Sequence, residues 1–520
     1  MSTKVDLGNS IWKSINEIRD KSSITVIEAQ PYLIGFIFFK FLSEKITKKV
    51  NDILKRKNIE TSFEKLSDKD ENFHIIKENI IEDIGYFIEY HDTYNAIVKD
   101  CDKTNQTGEL INRLSSAFKN IEDSTIGIES QQDFYGLFDN IELNNNSLGK
   151  DTNEKCEKLL SLLKCINIDF SDNENRDVLG DVYEYLISKF ASESGQKAGE
   201  FYTPSFVSDM LAQIVTYGYE NIDYIYDPTC GSGSLLIKVK KYLKNKFKKI
   251  LGQEKNTSTY NMARMNMFLH EIPYDDFTIK CGNTLEDNQF KDNASEIDLI
   301  VANPPFSTGW EPDKLKSDHR FHEYPKMAPK SCADFAFIQH MIYMLKEKGR
   351  CGVIVPHGVL FRSNAEYEIR KYLVGYKKYL RAVIGLPKNM FFNTGIEICI
   401  LVFEKEESNN DILFIEASKE FIKNKKKNTM SDEHINKIID VYKNRKEIEK
   451  FSRLVSLKEI EENDFKLNIT RYIDTFEEEE EIDINLVNQQ IKEIDQELIK
   501  VEKEIQDMIS ELVETNSDNE

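Results

Sequence analysis

Several patterns that would assign the chain to a common class are missing from its sequence. The eight cysteines of the 520-residue chain form no Cys-x-x-Cys pair, and none lies at zinc-ligand spacing with a histidine. We therefore predict no metal site. Scattered thiols in a chain of this length favour a reducing cytoplasm.

The sequence also lacks an export signal and a run long enough to span a membrane. Residues Met1–Ser10 contain no apolar core of the kind that signal peptides carry. The most apolar run, Tyr32–Leu42, is interrupted by Lys40 and is shorter than the ~20 residues that cross a bilayer. We expect this run to form a buried helix and the protein to have no membrane partner.

Negative charge outnumbers positive charge in the sequence. The chain has 69 Lys and Arg residues against 90 Asp and Glu residues, a net charge of −21. A protein that binds DNA unaided usually carries a basic face, so the charge argues against a self-sufficient DNA binder. Two interpretations remain: the acidity serves solubility, or another chain supplies most phosphate contacts.

Apolar periodicity divides the chain into four predicted regions. Residues 1–170 are predicted to form a helical N-terminal domain, because apolar residues recur at helical spacing, as at Ile11 and Ile15. Residues 171–416 alternate β-rich runs with helical stretches, which indicates an α/β domain with a doubly wound, mainly parallel sheet. Residues 417–483 are predicted to be a helical or irregular connection, and 484–513 a C-terminal coiled-coil helix.

Short β-rich runs mark the strands of the α/β region, and Ala333–Leu345 is a predicted helix between two of them. Two later runs, Glu397–Phe403 and Ile412–Ile415, follow each other without a helix, so we expect them to pair antiparallel at an edge. The other strand candidates are Ile222–Tyr226, Ile250–Gln253, Phe277–Cys281, Leu299–Ala302, Gly352–Val355 and Ala382–Leu386.

The C-terminal region carries apolar residues that alternate by three and four positions. This heptad pattern is typical of a helix that packs along one apolar stripe against other helices. A lone solvated helix would expose the whole stripe, so we expect a partner chain, a second copy, or helices of this chain to cover it. The stripe, called the heptad seam below, comprises Ile484, Val487, Ile491, Ile494, Leu498, Val501, Ile505, Met508 and Leu512.

A glycine turn follows the first predicted strand and opens a helix. Its sequence is Asp227-Pro228-Thr229-Cys230-Gly231-Ser232-Gly233-Ser234, in which the glycines let the backbone turn tightly near a ligand. Glu254 ends the next predicted strand, so both carboxylates would lie at the crevice where such sheets bind nucleotides. Glu254 could there accept hydrogen bonds from both hydroxyls of a ribose.

The ligand of this turn is predicted to be a nucleoside without a phosphate chain. The turn lacks the third glycine of dinucleotide folds and the Gly-Lys-Ser/Thr of a phosphate loop. S-adenosylmethionine is a nucleoside of this kind. The alternative is an ordinary strand–helix turn beside a solvated Glu254.

A second motif, Asn303-Pro304-Pro305-Phe306, follows the predicted strand Leu299–Ala302. The prolines fix the backbone, so the Asn303 side-chain oxygen and the Pro304 carbonyl can accept both hydrogens of one planar NH₂ group. These bonds would favour a tetrahedral nitrogen whose lone pair attacks a methyl sulfonium, and Phe306 could stack on the ring. The alternative is a proline turn closed by a core phenylalanine.

These motifs resemble those of adenine-N6 methyltransferases, whose signature is Asn-Pro-Pro-Phe and whose cofactor turn is Asp-Pro-x-x-Gly-x-Gly. Gly199-Glu200-Phe201-Tyr202-Thr203-Pro204, followed by Ser205, is similar to a segment that packs against the cofactor in type I modification subunits. Gly282-Asn283-Thr284-Leu285 resembles the loop that holds the cofactor adenine, although many relatives have Asp at the position of Asn283. The motif order is that of the gamma arrangement.

The resemblance implies a methyltransferase fold and two sets of site residues. The fold is a doubly wound S-adenosylmethionine-dependent methyltransferase sheet with a helical N-terminal domain and a C-terminal coiled-coil helix. Asn303, Pro304, Pro305 and Phe306 are implied as catalytic. The implied cofactor-binding residues are Glu200, Phe201, Tyr202, Thr203, Pro204, Ser205, Asp227, Thr229, Gly231, Ser232, Gly233, Ser234, Glu254, Asn283 and Leu285.

Other residues near these motifs have two interpretations each. Asp334 and Phe335 begin a helix beside the expected site, but an aspartate at a helix start is more often a cap. His357 follows a predicted strand and could touch DNA, although a loop histidine is the simpler interpretation. Phe391-Phe392-Asn393 could shape a base pocket or belong to the apolar core.

The resemblance implies the modification (M) subunit of a type I restriction–modification system, which methylates adenine N6 in double-stranded DNA. The target base must leave the stack, because its amino group is paired inside the duplex. Implied partners are a specificity (S) subunit, a second copy of this chain and a restriction (R) subunit. The sequence has no obvious target-recognition region, helicase motif or nuclease motif.

Three other functions would fit parts of this pattern. Protein glutamine-N5 methyltransferases share an Asn-Pro-Pro-aromatic motif, but they are shorter and lack the segment Phe201–Pro204. A cytosine-N4 enzyme usually begins its motif with Ser in place of Asn303. A scaffold that binds the cofactor without turnover would not need the intact residues 303–306.

Overall fold

The chain divides into two compact units, Met1–Ile473 and Asp474–Glu520. A computed structural model describes residues 8–14, 16, 24–104, 107–166, 173–193, 203–243, 246–391, 395–406, 411–424, 427–475 and 484–517.

The first unit begins with helices, as the sequence predicts for this region. Thr25 caps the longest of them in a capping box with Glu28, which satisfies two amide donors at the helix start. Those of more than ten residues are α1 (Val26–Arg56), α2 (Glu71–Ile84), α3 (Tyr94–Thr104), α4 (Leu110–Asp123), α5 (Thr152–Cys165) and α6 (Asn173–Glu193).

Helix α1 contains the apolar run Tyr32–Leu42 and is buried, as predicted. By length and composition α1 could cross a membrane, but 78% of its most apolar window is buried inside the protein. Lys40 within this run is 7% exposed and pairs with Glu44, one turn later, at 2.6 Å. The helix therefore has the burial of a core helix.

The rest of the first unit is a nine-stranded sheet flanked by helices. All six residues of the strand Ile297–Ala302 are buried, as expected for a strand covered by helices on both faces. The strands are β1 (Ile222–Asp227), β2 (Phe247–Glu254), β3 (Phe277–Cys281), β4 (Ile297–Ala302), β5 (Leu345–Pro356), β6 (Leu380–Gly385), β7 (Ile398–Glu404), β8 (Asp411–Glu416) and β9 (Ser452–Ser456). The helices are α7 (Ser205–Thr216), α8 (Ser234–Leu243), α9 (Thr257–Leu269), α10 (Asp334–Met344), α11 (Ala365–Lys371), α12 (Asp432–Asn444) and α13 (Leu457–Glu462).

The strand order is β3-β2-β1-β4-β5-β7-β6-β8-β9, and the first five strands are parallel. The chain leaves β1 toward one side of the sheet and returns to β4 on the other, which makes the gap between them a topological switch point. Tyr226 of β1 pairs with Ile300 of β4. The loops that follow these two strands therefore begin side by side, and they carry the glycine turn and the Asn-Pro-Pro-Phe motif.

The prediction that Glu397–Phe403 and Ile412–Ile415 pair at an edge is wrong. Strand β7 lies between β5 and β6 and is antiparallel to both, whereas β8 lies between β6 and β9. Residues 398–403 are all buried, so this strand belongs in the interior of the sheet rather than at its edge. The antiparallel edge pair is β8 with β9, and the sheet extends past the predicted boundary at residue 416.

The second unit contains one long helix, α14 (Ile484–Ser517), of 34 residues. It is continuous and covers the whole heptad seam. Within this unit the described seam residues are half exposed or more: Ile491 50%, Ile494 59%, Leu498 54%, Val501 52%, Ile505 51% and Met508 61%.

Candidate active site

The glycine turn after β1 depends on two left-handed glycines. Gly231 has a φ of 56° and Gly233 a φ of 78°, a region that disfavours residues with a side chain. A Cβ on Gly233 would also lie 2.8 Å from the Met267 side chain. The turn is closed by Gly233 N–H, which donates to the Cys230 carbonyl at 2.8 Å. The structure thus requires glycine where the sequence pattern has it.

Asp227, at the end of β1, is 2% exposed and serves the turn itself. Its Oδ1 accepts the Thr229 N–H at 2.9 Å. Burial raises the pKa of Asp227 to about 8, despite this bond. Asp227 is therefore largely protonated near neutral pH, and its main described contact is to the backbone of the turn.

Glu254, at the end of β2, is bound to the same turn. Its Oε2 accepts the Gly231 N–H at 3.0 Å, and its Oε1 accepts the Asn256 N–H at 2.8 Å. Burial nonetheless raises the pKa of Glu254. Each oxygen has a second lone pair, so the carboxylate can still accept a hydrogen bond from a ligand hydroxyl.

Ser232 and Ser234, near the end of the glycine turn, have buried side chains. Their hydroxyls lie 3.0 Å apart in one hydrogen bond. Asn266 of α9, fully buried, donates through Nδ2 to the Ser232 carbonyl at 2.9 Å. Asn266 was missed by the sequence analysis, since nothing in its helix distinguishes it from a core polar residue.

The loop Gly282–Leu285 lies against the glycine turn. Thr284 Oγ1 donates to the Pro228 carbonyl at 2.5 Å, and Asn283 Oδ1 accepts the Leu285 N–H at 3.2 Å. Leu285 is 2% exposed. The two loops named by the sequence resemblance are therefore in direct contact.

Arg320 binds two backbone carbonyls of this loop and was not found by sequence reasoning. Its Nη1 and Nη2 donate to the carbonyls of Thr284 and Leu285, each at 2.7 Å. Nη1 also lies 3.2 Å from His340 Nδ1, which must accept because a guanidinium only donates. Burial lowers the pKa of His340, so it is neutral and its Nε2 donates to the Tyr226 hydroxyl at 3.0 Å.

The Asn-Pro-Pro-Phe motif follows β4 directly. Asn303 Nδ2 donates to Thr203 Oγ1 at 3.0 Å, which joins the catalytic motif to the segment before α7. Phe306 is half-buried, and its ring meets that of Phe391 edge-on with centroids 6.1 Å apart. Phe391 is 4% exposed and belongs to the core. The structure thus brings Thr203, Asn303 and Phe306 together at the carboxyl end of β4.

Five of the predicted residues cannot be placed, and two others flank the start of α7. Glu200, Phe201, Tyr202, Phe392 and Asn393 lie outside the described residues. Pro204 precedes α7 and Ser205 begins it.

His357 begins a short turn after β5. Its Nε2 donates to the Ile398 carbonyl at 3.1 Å, and its backbone N–H donates to the Glu397 carbonyl. These bonds tie the start of the turn to β7, which runs beside β5.

The interpretation of Asp334 as the cap of its own helix is wrong. Helix α10 has Ala333 at its N-cap without a side-chain bond, and the Asp334 carboxylate turns away to another loop. Asp334 Oδ1 accepts the Ser307 N–H at 2.7 Å, and Arg362 donates to Oδ2 at 2.7 Å. Asp334 therefore binds the residue that follows the Asn-Pro-Pro-Phe motif.

Among the described residues, two groups of side chains have the composition of metal sites, and each has a basic side chain within it. Cys332, Asp334 and Glu366 surround the guanidinium of Arg362. The second group is Asp181, Glu184 and His270, where the Lys238 ammonium lies 3.7 Å from Glu184 Oε2.

Comparison with known proteins identifies the family. Residues 174–481 match the N-6 DNA Methylase family model, and residues 7–166 match the HsdM N-terminal domain. The type I restriction enzyme MpnII methylase subunit of Mycoplasma pneumoniae is 36% identical, over 97% of this chain and 96% of that protein. The MjaVII methylase subunit of Methanocaldococcus jannaschii is 31% identical, over 93% and 80%.

A solved structure agrees with these relatives. The type I restriction–modification methyltransferase subunit from Streptococcus thermophilus superposes with a TM-score of 0.83 at 37% identity. The match covers 91% of this chain and 100% of that one. The chain therefore belongs to the N-6 DNA methylase family, among the methyltransferase subunits of type I restriction–modification systems.

Proposed function

We propose that this chain transfers the methyl group of S-adenosylmethionine to N6 of an adenine flipped out of double-stranded DNA. The observation that carries the proposal is that two loops begin side by side at the switch point of the sheet. The loop after β1 is a glycine turn with Glu254 bound to it, and the loop after β4 is Asn303–Phe306. One loop suits a nucleoside cofactor and the other a planar amino group.

The residues present fit the cofactor. Glu254 retains lone pairs for the two ribose hydroxyls, and the glycines of the turn allow close approach of a ligand to the backbone. Asn283 and Leu285 would lie against the adenine, and Thr203 against the methionine end. S-adenosylmethionine, when bound, supplies a methyl group on a sulfonium sulfur.

The chain's own residues would then activate the adenine amino group. Asn303 Oδ1 and the Pro304 carbonyl accept its two hydrogens, and the half-buried Phe306 ring stacks on the base. Asn303 Oδ1 is shielded from solvent, so the entering adenine must displace the groups that cover it. Held in this way, the amino nitrogen would accept the methyl group through its lone pair and then release one proton to solvent, and the cofactor would leave as a neutral thioether.

The product distinguishes this proposal from its rivals. The assembled complex is incubated with S-adenosylmethionine carrying a labelled methyl group and with double-stranded DNA, and the digested DNA is analysed by mass spectrometry. We expect N6-methyladenine at one sequence motif. Label on a protein glutamine, on cytosine N4, or nowhere would instead support the glutamine-N5 enzyme, the cytosine enzyme or the scaffold.

We further propose that a specificity subunit chooses the DNA site and that the heptad seam of α14 docks on it, with two copies of this chain per assembly. The exposed apolar stripe on α14 supports a helical partner, since such a stripe is unstable in water. The net charge of −21 supports a partner that supplies phosphate contacts. A restriction subunit would join the same assembly in the cytoplasm.

Removing or altering α14 tests this assignment. Deleting 484–520 should eliminate complex formation, measured by light scattering after size exclusion, while cofactor binding persists.

Leu498→Gln should shorten the lifetime of the complex, because Leu498 lies on the seam and is 54% exposed. Ile499→Gln is the matched control, since Ile499 is 65% exposed but lies off the seam. Equal effects of the two variants, or an undiminished complex after deletion, would refute the docking role.

A further inference from the structure

The residue that follows the catalytic motif has an unusual backbone. Ser307 has a φ of 52°, in the left-handed region that residues with a Cβ seldom adopt. Two side chains hold it there: Asp334 Oδ1 accepts its N–H at 2.7 Å, and Arg362 Nη2 donates to its Oγ at 3.1 Å. A strained residue next to a reactive motif persists only where its surroundings enforce the shape.

Arg362 links this residue to three further groups. Its Nη1 lies 2.7 Å from Asp334 Oδ2, 3.3 Å from Glu366 Oε1 and 2.8 Å from Cys332 Sγ. The two carboxylate residues are buried, at 3% exposure for Asp334 and 1% for Glu366. One guanidinium therefore contacts two buried carboxyl groups and at the same time holds Ser307.

Asp334 and Arg362, called the clamp below, connect three parts of the chain around the catalytic loop. Ser307 belongs to the loop after β4, Asp334 begins α10, and Arg362 lies between β5 and α11. A backbone bond strengthens the first link, because the Ala333 N–H donates to the Thr308 carbonyl at 2.8 Å. The Phe306 ring, one residue before Ser307, meets the ring of Phe391 edge-on. The position of the Phe306 ring therefore depends on the backbone of Ser307 and on Phe391.

We propose that Arg362 and Asp334 are positioning residues for methyl transfer: they lock Ser307 in its left-handed conformation and thereby set the Phe306 ring and the Pro304 carbonyl. The inference rests on the proposed adenine-N6 methylation. Neither residue needs to touch the base. Each acts through Ser307, so their loss should slow the chemical step rather than weaken cofactor binding.

The effect on rate should be large because the target must be held in a narrow geometry. A displacement of about 1 Å in an active site can lower the rate on the order of 100-fold. We expect Arg362→Ala to lower kcat by about this factor while the Kd for S-adenosylmethionine stays within about twofold. Ser307→Ala removes only the hydroxyl and keeps the N–H bond, so its kcat should fall by less, about 10-fold.

Chemical rescue separates positioning from a general loss of structure. The Arg362 side chain is 32% exposed, so free guanidinium can reach the space that Arg362→Ala leaves. Millimolar guanidinium chloride should restore part of kcat in that variant and none in Ser307→Ala. Arg362→Lys should retain an intermediate rate, because an ammonium keeps the charge but cannot bridge Asp334 and Ser307 through two nitrogens.

Arg453→Ala provides the matched control. Arg453 pairs with Glu459 at 2.8 Å on the edge strand β9, five strands from β4. All variants are assayed in the assembled complex, with kcat, KM for DNA, cofactor Kd and unfolding temperature measured together. Arg453→Ala should keep wild-type kcat and show no response to guanidinium.

The possible outcomes separate the clamp from the proposed function. A normal kcat for Arg362→Ala overturns the clamp, and so does a raised KM for DNA with kcat unchanged, which would mean a direct DNA contact. Loss of activity without rescue in a variant that unfolds at lower temperature would also overturn it. A wild-type complex that forms no N6-methyladenine would contradict the proposed function itself.

Discussion

The two loops at the switch point differ in what holds them. The described side-chain bonds of the glycine turn reach at most 56 residues along the chain: Thr229 bonds to Asp227 at a separation of two, Gly231 to Glu254 at 23, and Thr284 to Pro228 at 56. The loop around Asn303 is held by Thr203, 100 residues earlier. Its other supports lie 27 and 55 residues beyond Ser307. The described partners of the turn thus lie between β1 and the loop after β3, whereas the catalytic loop also requires Thr203 from before β1 and Arg362 from after β5.

Asn303→Ala tests the catalytic side of this comparison and should have the largest effect. Removing an acceptor that acts on the reacting amino group should lower kcat on the order of 100- to 1000-fold, the usual loss for such a contact. Because Asn303 acts on the amino group and its Nδ2 donates to Thr203, cofactor affinity should change little. Single-turnover methylation and calorimetry measure the two quantities, and equal losses in both would break the distinction between the loops.

Asp227→Asn tests whether ionisation of the buried Asp227 carboxyl destabilises the glycine turn. Because the pKa of Asp227 is raised from 3.8 to about 8, its neutral form is favoured in the folded state. Its contribution to stability is complete below pH ~4 and is lost as pH rises toward 8. Asparagine stays neutral and keeps an oxygen for Thr229 N–H.

The free energy of unfolding of wild type should therefore fall, relative to Asp227→Asn, by roughly 3 kcal/mol between pH 5 and 7. Urea unfolding of the cofactor-free chain at several pH values measures it. A constant difference across this range would mean that Asp227 is ionised throughout, so burial would not govern its charge.

The contrast between the loops also explains what the sequence could predict. Strand–helix alternation and two short motifs were enough for the fold class and for the residues that approach the switch point. Asn266, Arg320 and Arg362 could not be found in this way, because their partners are backbone or side-chain groups on other elements. The edge pairing was mispredicted for a related reason: β7 has to cross back between β5 and β6, and adjacency in sequence carries no sign of that insertion.

Glu254→Ala sharpens the comparison from the cofactor side. The carboxylate should bond both the turn and the ribose, so its removal should weaken S-adenosylmethionine binding by about 1.5–3 kcal/mol, the scale of a bond to a charged group. Calorimetry measures the affinity. Glu254→Gln, which keeps one acceptor oxygen, should lose less, and unchanged affinity in Glu254→Ala would remove this residue from the site.

Thr203→Val should have the smallest effect and bears most directly on the comparison, because Thr203 belongs to the cofactor segment yet bonds Asn303. Valine keeps the shape and removes the hydroxyl, so the Asn303 amide loses the acceptor for Nδ2. A neutral hydrogen bond contributes about 0.5–1.5 kcal/mol, which corresponds to a loss in kcat of up to about 10-fold. Thr203→Ser keeps the hydroxyl and is the control, with kcat near that of wild type.

If Thr203 acts mainly on the cofactor, Thr203→Val will instead raise the Kd for S-adenosylmethionine and leave single-turnover rates at saturating cofactor unchanged. In that case the catalytic loop would be held from Asp334 and Arg362, and the cofactor segment would not orient the Asn303 amide.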